Sequence, residues 1–220
     1  MPTDIKPFSL AGLHRLNPKQ RAHANVDATA GLDGDAILRR KFEKHAQDHL
    51  RRSRQAVRLL ERLPAPGEVF TVLMSGSFDG WDYVDAILTL AAPATIDELY
   101  VATLGFGETN AGQLVGQLDA GKIGRVWFVA SCYMRDKHGD KFARLSDALT
   151  KRGHRIRATR NHAKILAVKL SDGRRLAIDG SLNLCSCRNV EQAHVWHDAA
   201  LFDFYADYVR GQAEGEGRVK

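Results

Sequence analysis

Apolar positions recur along this chain with two different periods. From about Gly34 to Leu63, the residues Leu38, Phe42, Ala46, Leu50, Val57 and Leu60 fall three, four or seven apart. That spacing places them on one face of a helix. Pro64-Ala65-Pro66-Gly67 ends it, because proline can neither donate nor continue the helical ladder. From Phe70 onward short apolar runs alternate with helical patterns. VFTVLM, Leu99 to Leu104, Arg125 to Ala130 and His154 to Thr159 read as strands. Asp82 to Leu90, Thr109 to Ala120 and Asp140 to Arg152 read as the helices between them. Ala193 to Phe202 alternates like a strand, and Asp203 to Gln212 reads as a terminal helix.

Two further runs, ILAVKL and LAIDG, flank Asp172-Gly173, a two-residue turn signal, and so form a hairpin. Strand and helix in alternation imply strands that run parallel with helices on both faces. The expected fold class is therefore α/β: a mixed, largely parallel sheet flanked by helices, preceded by a basic helix. In such sheets, sites lie beyond the carboxyl ends of the strands. The loops SGSFDGWD, GFGETNAG and SCYMRDKHGDK qualify as groove walls. No Gly-Lys-Ser/Thr follows SGSFDG, which argues against a phosphate loop. Phe78, Trp81, Phe106 and Tyr133 are either base-stacking or core aromatics, and core is the commoner use.

Charge changes the picture on the first helix. Its non-apolar face carries Arg39, Arg40, Lys41, Lys44, Arg51, Arg52, Arg54, Arg58 and Arg62, offset by Glu43, Asp48 and Glu61. Such a face is either solvated or laid along a polyanion, with Arg51, Arg52, Arg54 and Arg58 as the candidate phosphate contacts. The net charge of +6 over 220 residues favours a nucleic acid, DNA or RNA, as partner. Residues 1–66 read as an irregular arm plus this helix, and residues 67–220 as the main domain. No apolar run approaches the roughly 18 residues of a membrane span, so no stable membrane association is expected. The first residues lack a secretory pattern, and three cysteines do not suggest a disulfide framework. A reducing cytoplasm is the expected location.

Candidate chemistry gathers on the hairpin. His162 and Lys164 are two apart just before ILAVKL, and residues two apart on a strand share a face. Ser181 and Asn183, also two apart, follow LAIDG, and Glu191 comes soon after. The hairpin returns them toward the His-x-Lys end. A neutral imidazole is a nucleophile near neutral pH. An ammonium and an amide can hold the non-bridging oxygens of a phosphodiester as charge builds. A carboxylate can fix the imidazole tautomer, a role open to Glu191.

This stretch resembles the phospholipase D superfamily, whose signature is His-x-Lys, then Asp, then Gly-Gly/Ser-x-Asn. The resemblance implies two-step phosphodiester hydrolysis through a phosphohistidine, with no metal and no cofactor. It makes His162 the nucleophile and Lys164 the phosphate clamp. It makes Ser181 and Asn183 supporting residues, and Glu191 the acid that orients the histidine. The sequence departs from the pattern where the family has Asp, since Lys169 stands there. The interval from His162 to Asn183 is also longer than usual, which the SDGRR turn absorbs. The family uses two His-x-Lys copies, and this chain has one, so a symmetric homodimer is implied. The implied activity is a nuclease. Phospholipid hydrolysis or head-group transfer, and nucleic-acid binding without turnover, are the alternatives. Cys185, Cys187, His194 and His197 do not have a usual zinc spacing, and the two cysteines read as small packing residues.

Overall fold

The computed structural model describes residues 50–75, 79–185 and 189–215. The expected N-terminal arm, the first half of the basic helix, Phe78, Cys187 and the last residues of the tail lie outside these. The first described helix, α1, covers residues 50–60. Then come β1 (Val69–Ser75), α2 (Asp82–Ala91), β2 (Ile96–Thr103), α3 (Glu108–Asp119) and β3 (Ile123–Ser131). A short α4 (Cys132–Lys137) and α5 (Gly139–Lys151) precede β4 (Arg155–Thr159). The chain continues through β5 (Ile165–Leu170), β6 (Arg175–Gly180), β7 (Val190–Trp196) and α6 (Ala199–Glu214).

The seven strands form one sheet in the order β1-β7-β6-β5-β2-β3-β4. The α/β expectation holds, but the expected largely parallel sheet does not. Only β2/β3 and β3/β4 pair in parallel, while β1/β7, β7/β6, β6/β5 and β5/β2 pair antiparallel. The reason is insertion. β1, β2, β3 and β4 share one direction, as the helical crossovers between them demand, and β6 shares it as the return strand of the β5–β6 hairpin. β5 and β7 run against them and slot between like-directed strands, so every neighbour they touch is antiparallel.

That arrangement concentrates chain ends. The carboxyl ends of β1, β2, β3, β4 and β6 and the amino ends of β5 and β7 all meet at one edge of the sheet. The β5–β6 turn lies at the opposite edge. It is a three-residue loop rather than the expected two-residue turn, because Leu170 N–H still bonds Arg174 O at 2.9 Å. Gly173, at φ 90°, supplies the left-handed step that closes it.

Each face of the sheet has its own core. One buries Trp81, Tyr83, Ile87, Leu99, Phe128, Leu166, Leu170 and Leu176 beneath α2, α3 and α5. The other stacks Tyr100 on Trp127, centroids 4.6 Å apart, under Phe202, Ala206 and Val209 of α6. Helix α6 starts earlier than the expected Asp203. Asp198 caps it by accepting from the N–H groups of Ala200 and Leu201 at 2.8 and 3.0 Å. Of the stripe expected on the first helix, Leu60 is buried and Val57 packs against the main core, but Leu50 is 52 % exposed, and Ala56 and Leu63 join the core. Arg52, one turn before the buried Ala56, lies on the same face of the helix.

Candidate functional site

His162 and Lys164 sit just ahead of β5, at the sheet edge where the strand ends converge. They are not themselves in a strand. Asn161 interrupts the chain there: its side-chain Oδ1 accepts from Ala163 N–H at 2.9 Å, and its Nδ2 donates to Thr103 O at 3.2 Å. An Asx turn of this kind competes with ladder bonding. Asn161 is buried, so it ties the His-x-Lys segment to the carboxyl end of β2. Pairing begins at Ile165, opposite both Ala102 and Asp179.

The His-x-Lys pair nonetheless meets side by side. Lys164 Nζ lies 2.9 Å from His162 Nδ1, 3.4 Å from Nε2 and 2.9 Å from the His162 carbonyl oxygen. His162 is exposed and Lys164 half-buried. Desolvation holds the Lys164 ammonium below the ordinary lysine range, and the nearby Glu191 carboxylate partly offsets this. Lys164 also lines a small recess with Gly80, Thr103, Asp179, Gly180 and Leu184.

Glu191 is held from the other side. Ser181 Oγ donates to Glu191 Oε2, and it accepts from Gln192 N–H at 3.0 Å. Ser181 N–H bonds Gln192 O at 3.0 Å. The carboxylate is thus engaged by Ser181, where the sequence reading had it on the imidazole. His162 touches Lys164 and Ser181 touches Glu191, and the Glu191 carboxylate acts on the Lys164 ammonium through its charge.

Asn183 follows two residues on. Its Oδ1 is buried with no hydrogen-bond partner among the described residues. Its main chain is pinned: Gly80 N–H reaches Asn183 O at 3.2 Å, and Leu184 N–H reaches Gly105 O at 3.2 Å. Gly80 is required there, since a Cβ would lie 2.9 Å from Asn183 O. Leu184 O accepts from both Gly107 N–H and Asn110 Nδ2, each at 2.9 Å.

Behind this loop lies a buried polar group that the sequence reading missed. Asp79 Oδ1 accepts from Asn110 Nδ2 at 3.1 Å and from Trp81 N–H at 3.0 Å. Burial, then the neighbouring Asp82 carboxylate, pushes Asp79 above the usual carboxylate range, while Asn110 and Arg52 pull it back. Arg52 lies 3.4 Å from Asp82 and 4.0 Å from Asp79. No sequence period marks Asp79 or Asn110, because loop and helix-start positions accept polar residues whether buried or not. Asn161 had a signal, its place directly before the His-x-Lys pair.

Of the expected phosphate contacts, Arg51, Arg54 and Arg58 are exposed on α1, and Arg52 faces the two aspartates. Trp81 and Phe106 are core residues, whereas Tyr133 is 56 % exposed. Lys169, at the position of the family's Asp, lies at the far end of β5 and pairs with Glu98 at 2.8 Å. His194 shares a hydrogen bond with Thr71 Oγ1 at 3.1 Å, and His197 Nδ1 donates to Pro64 O at 2.9 Å. Among the described residues no three His, Cys, Asp or Glu side chains gather as a metal site. No described helix is long and apolar enough to cross a membrane.

No family model matches this chain, and no curated protein matches it. Among solved structures, it is similar to a phospholipase D family member, Nuc from Salmonella typhimurium, with a TM-score of 0.47 and 16 % identity, over 69 % of this chain and 96 % of that one. It is also similar to TrmBL2, an archaeal chromatin protein with a novel mode of DNA binding, with a TM-score of 0.44 and 14 % identity, over 91 % of this chain and 70 % of that one. Likenesses of this degree carry no argument about chemistry, which has to rest on the residues.

Proposed function

We propose that this chain is a phospholipase D-like phosphodiesterase that cleaves nucleic acid through a phosphohistidine. The observation that carries the reading is the contact of Lys164 Nζ with His162 Nδ1 at 2.9 Å, with Glu191 and Ser181 alongside. An imidazole, an ammonium, a hydroxyl and a carboxylate then share one sheet edge, with the Asn183 loop fixed next to them.

In the proposed reaction a phosphate draws the Lys164 ammonium off the imidazole. The neutral ring then takes the tautomer with its proton on Nδ1, where it is donated to the Glu191 carboxylate, and Nε2 keeps the lone pair that attacks phosphorus. The P–O bond to the departing nucleoside breaks as the P–N bond forms, and the departing oxygen takes a proton from a second acid. His162 of a second copy supplies that acid in a homodimer. The same imidazole, now neutral, takes a proton from water, whose oxygen displaces His162 from phosphorus. Lys164 and the Asn183 amide stabilise the charge on the non-bridging oxygens in both steps. Nucleic acid is preferred over lipid as substrate because the chain is basic, at +6.

A second reading has its own support. Glu191 is held by Ser181, and Lys169 stands where the family has Asp. Both suit a protein that binds nucleic acid without turnover. The deciding assay offers single- and double-stranded DNA, RNA and a phosphatidyl substrate to wild type and His162→Ala, with EDTA present. EDTA-resistant nucleic-acid cleavage that the variant loses supports the proposal. Salt-sensitive binding without cleavage selects the second reading, and lipid turnover alone rejects both.

A further inference from the structure

Arg52, Asp79 and Asn110 link the basic helix to the candidate site through the interior. We infer that they act as positioning residues for the Asn183–Leu184 main chain, and that Arg52 serves this relay rather than a phosphate. The inference rests on the phosphodiesterase reading only for its consequence in catalysis.

Burial comes first. Asp79 and Asn110 are 3 % and 4 % exposed, and Asp82 is 1 % exposed. Two carboxylates in so dry a place repel each other, and a buried charge without a counter-charge is strongly disfavoured. The Arg52 guanidinium, 3.4 Å from Asp82 and 4.0 Å from Asp79, supplies the counter-charge. An arginine in that position is poorly placed to neutralise a phosphate in solvent. Arg54, two residues on and exposed, faces away.

Connectivity comes next. Asp79 fixes Asn110 by accepting from its amide at 3.1 Å, and the same Nδ2 donates to Leu184 O at 2.9 Å. Asp79 also holds Trp81 N–H at 3.0 Å, which sets the turn that presents Gly80 N–H to Asn183 O at 3.2 Å. One carboxylate therefore governs two of the bonds that hold residues 183 and 184. Ser181, two residues before Asn183, is the partner of Glu191. A shift of the segment moves both the amide that would face phosphate and the hydroxyl that holds the acid. Displacements of about 1 Å at a reacting site cost on the order of a hundredfold in rate.

The test compares Arg52→Ala, Arg52→Lys and Asn110→Ser with Arg54→Ala. Hydrogen exchange is followed on peptides covering residues 181–185, and cleavage and salt-dependent binding are followed on an oligonucleotide. Loss of the relay is expected to speed exchange in that segment about tenfold, from one missing buried hydrogen bond. It is expected to lower kcat with KM unchanged, and Arg52→Lys should recover part of both effects. The slope of log binding constant against log salt should stay at its wild-type value for Arg52→Ala, but fall by about one for Arg54→Ala. Unchanged exchange together with a slope lowered by Arg52→Ala would overturn the relay. Exchange reads the relay whether or not the chain cuts anything. Raised exchange with no cleavage by wild type therefore rejects the phosphodiesterase reading and leaves the relay standing. Should Arg52→Ala fail to fold, Arg52→Lys and Asn110→Ser carry the same exchange test.

Discussion

The Lys164 ammonium stands 2.9 Å from His162 Nδ1, and desolvation holds its pKa below the ordinary lysine value of 10.5. A base whose pKa is depressed loses its proton at lower pH than usual. The clamp role proposed for Lys164 needs the charged form, so activity should fall on the alkaline side below pH 10.5. Lys164→Arg should move that limb upward, because a guanidinium stays charged. A pH–rate profile with an alkaline limb that Lys164→Arg does not move would remove Lys164 from the reaction.

Gly180 ends β6 directly before Ser181, and a Cβ there would lie 2.1 Å from Gln192 O and 2.9 Å from Ala193 Cα. Both are main-chain atoms of β7 and cannot rotate away. Gly121 makes the contrast, at φ 68° with nothing within 4 Å of a built Cβ. Gly121→Ala meets only backbone strain, about 1 kcal/mol. Gly180→Ala adds a steric clash and should cost about 3 kcal/mol, with the β6–β7 register disturbed. Denaturant midpoints of the two variants check the order. Equal midpoints would mean that β7 yields freely and that Ser181 and Glu191 are not held as described.

Acid should weaken the fold through Glu68. Its carboxylate accepts from Arg62 at 2.6 and 2.7 Å and from Ala65 N–H at 2.7 Å, and its pKa is lowered to about 2, mainly by the Arg62 bond. A depressed acid pKa gives stability that is complete above the unfolded value of 4.5 and lost as pH falls toward 2. Glu68→Gln should therefore be less stable than wild type at neutral pH, with the difference closing as pH drops through that window. Arg62 is exposed and Glu68 partly so, and the effect should shrink with salt. Urea melts across that pH range check it.

Local pattern carried much of this fold. The β5–β6 hairpin was readable from ILAVKL, Asp172-Gly173 and LAIDG, and the parallel β2–β3–β4 block from strand–helix alternation. The pairing of β5 with β2 was not readable, since nothing in either run says which partner lies on its far side. That insertion, with the matching one of β7 between β1 and β6, gives the sheet its antiparallel neighbours. At the site, His162 and Lys164 do meet, but outside the strand on which the spacing argument placed them. The engagement of Glu191 by Ser181 was not readable, because it depends on the offset between β6 and β7. Arg52 illustrates the limit for charges. Helical spacing groups it with Arg51 and Arg54, but only the packing of Ala56 and Leu60 decides that it turns toward Asp82.

The proposed reaction needs two imidazoles, and each chain contributes one His-x-Lys pair. If each active site is shared by two copies, the particle in solution should have about twice the 24.4 kDa mass of the chain. Mass alone does not tie the dimer to the chemistry, but mixing does. Wild type and His162→Ala carrying different tags are co-expressed in varied ratios and pooled. When both imidazoles serve one phosphorus, only wild-type pairs turn over, and activity follows the square of the wild-type fraction. When each chain works alone, activity follows the fraction itself. The two curves differ most in absolute terms at equal amounts, where the shared site leaves a quarter of the activity and the independent site leaves half. A linear dependence would remove the second imidazole from the mechanism, and the proton for the departing oxygen would have to come from within the same chain.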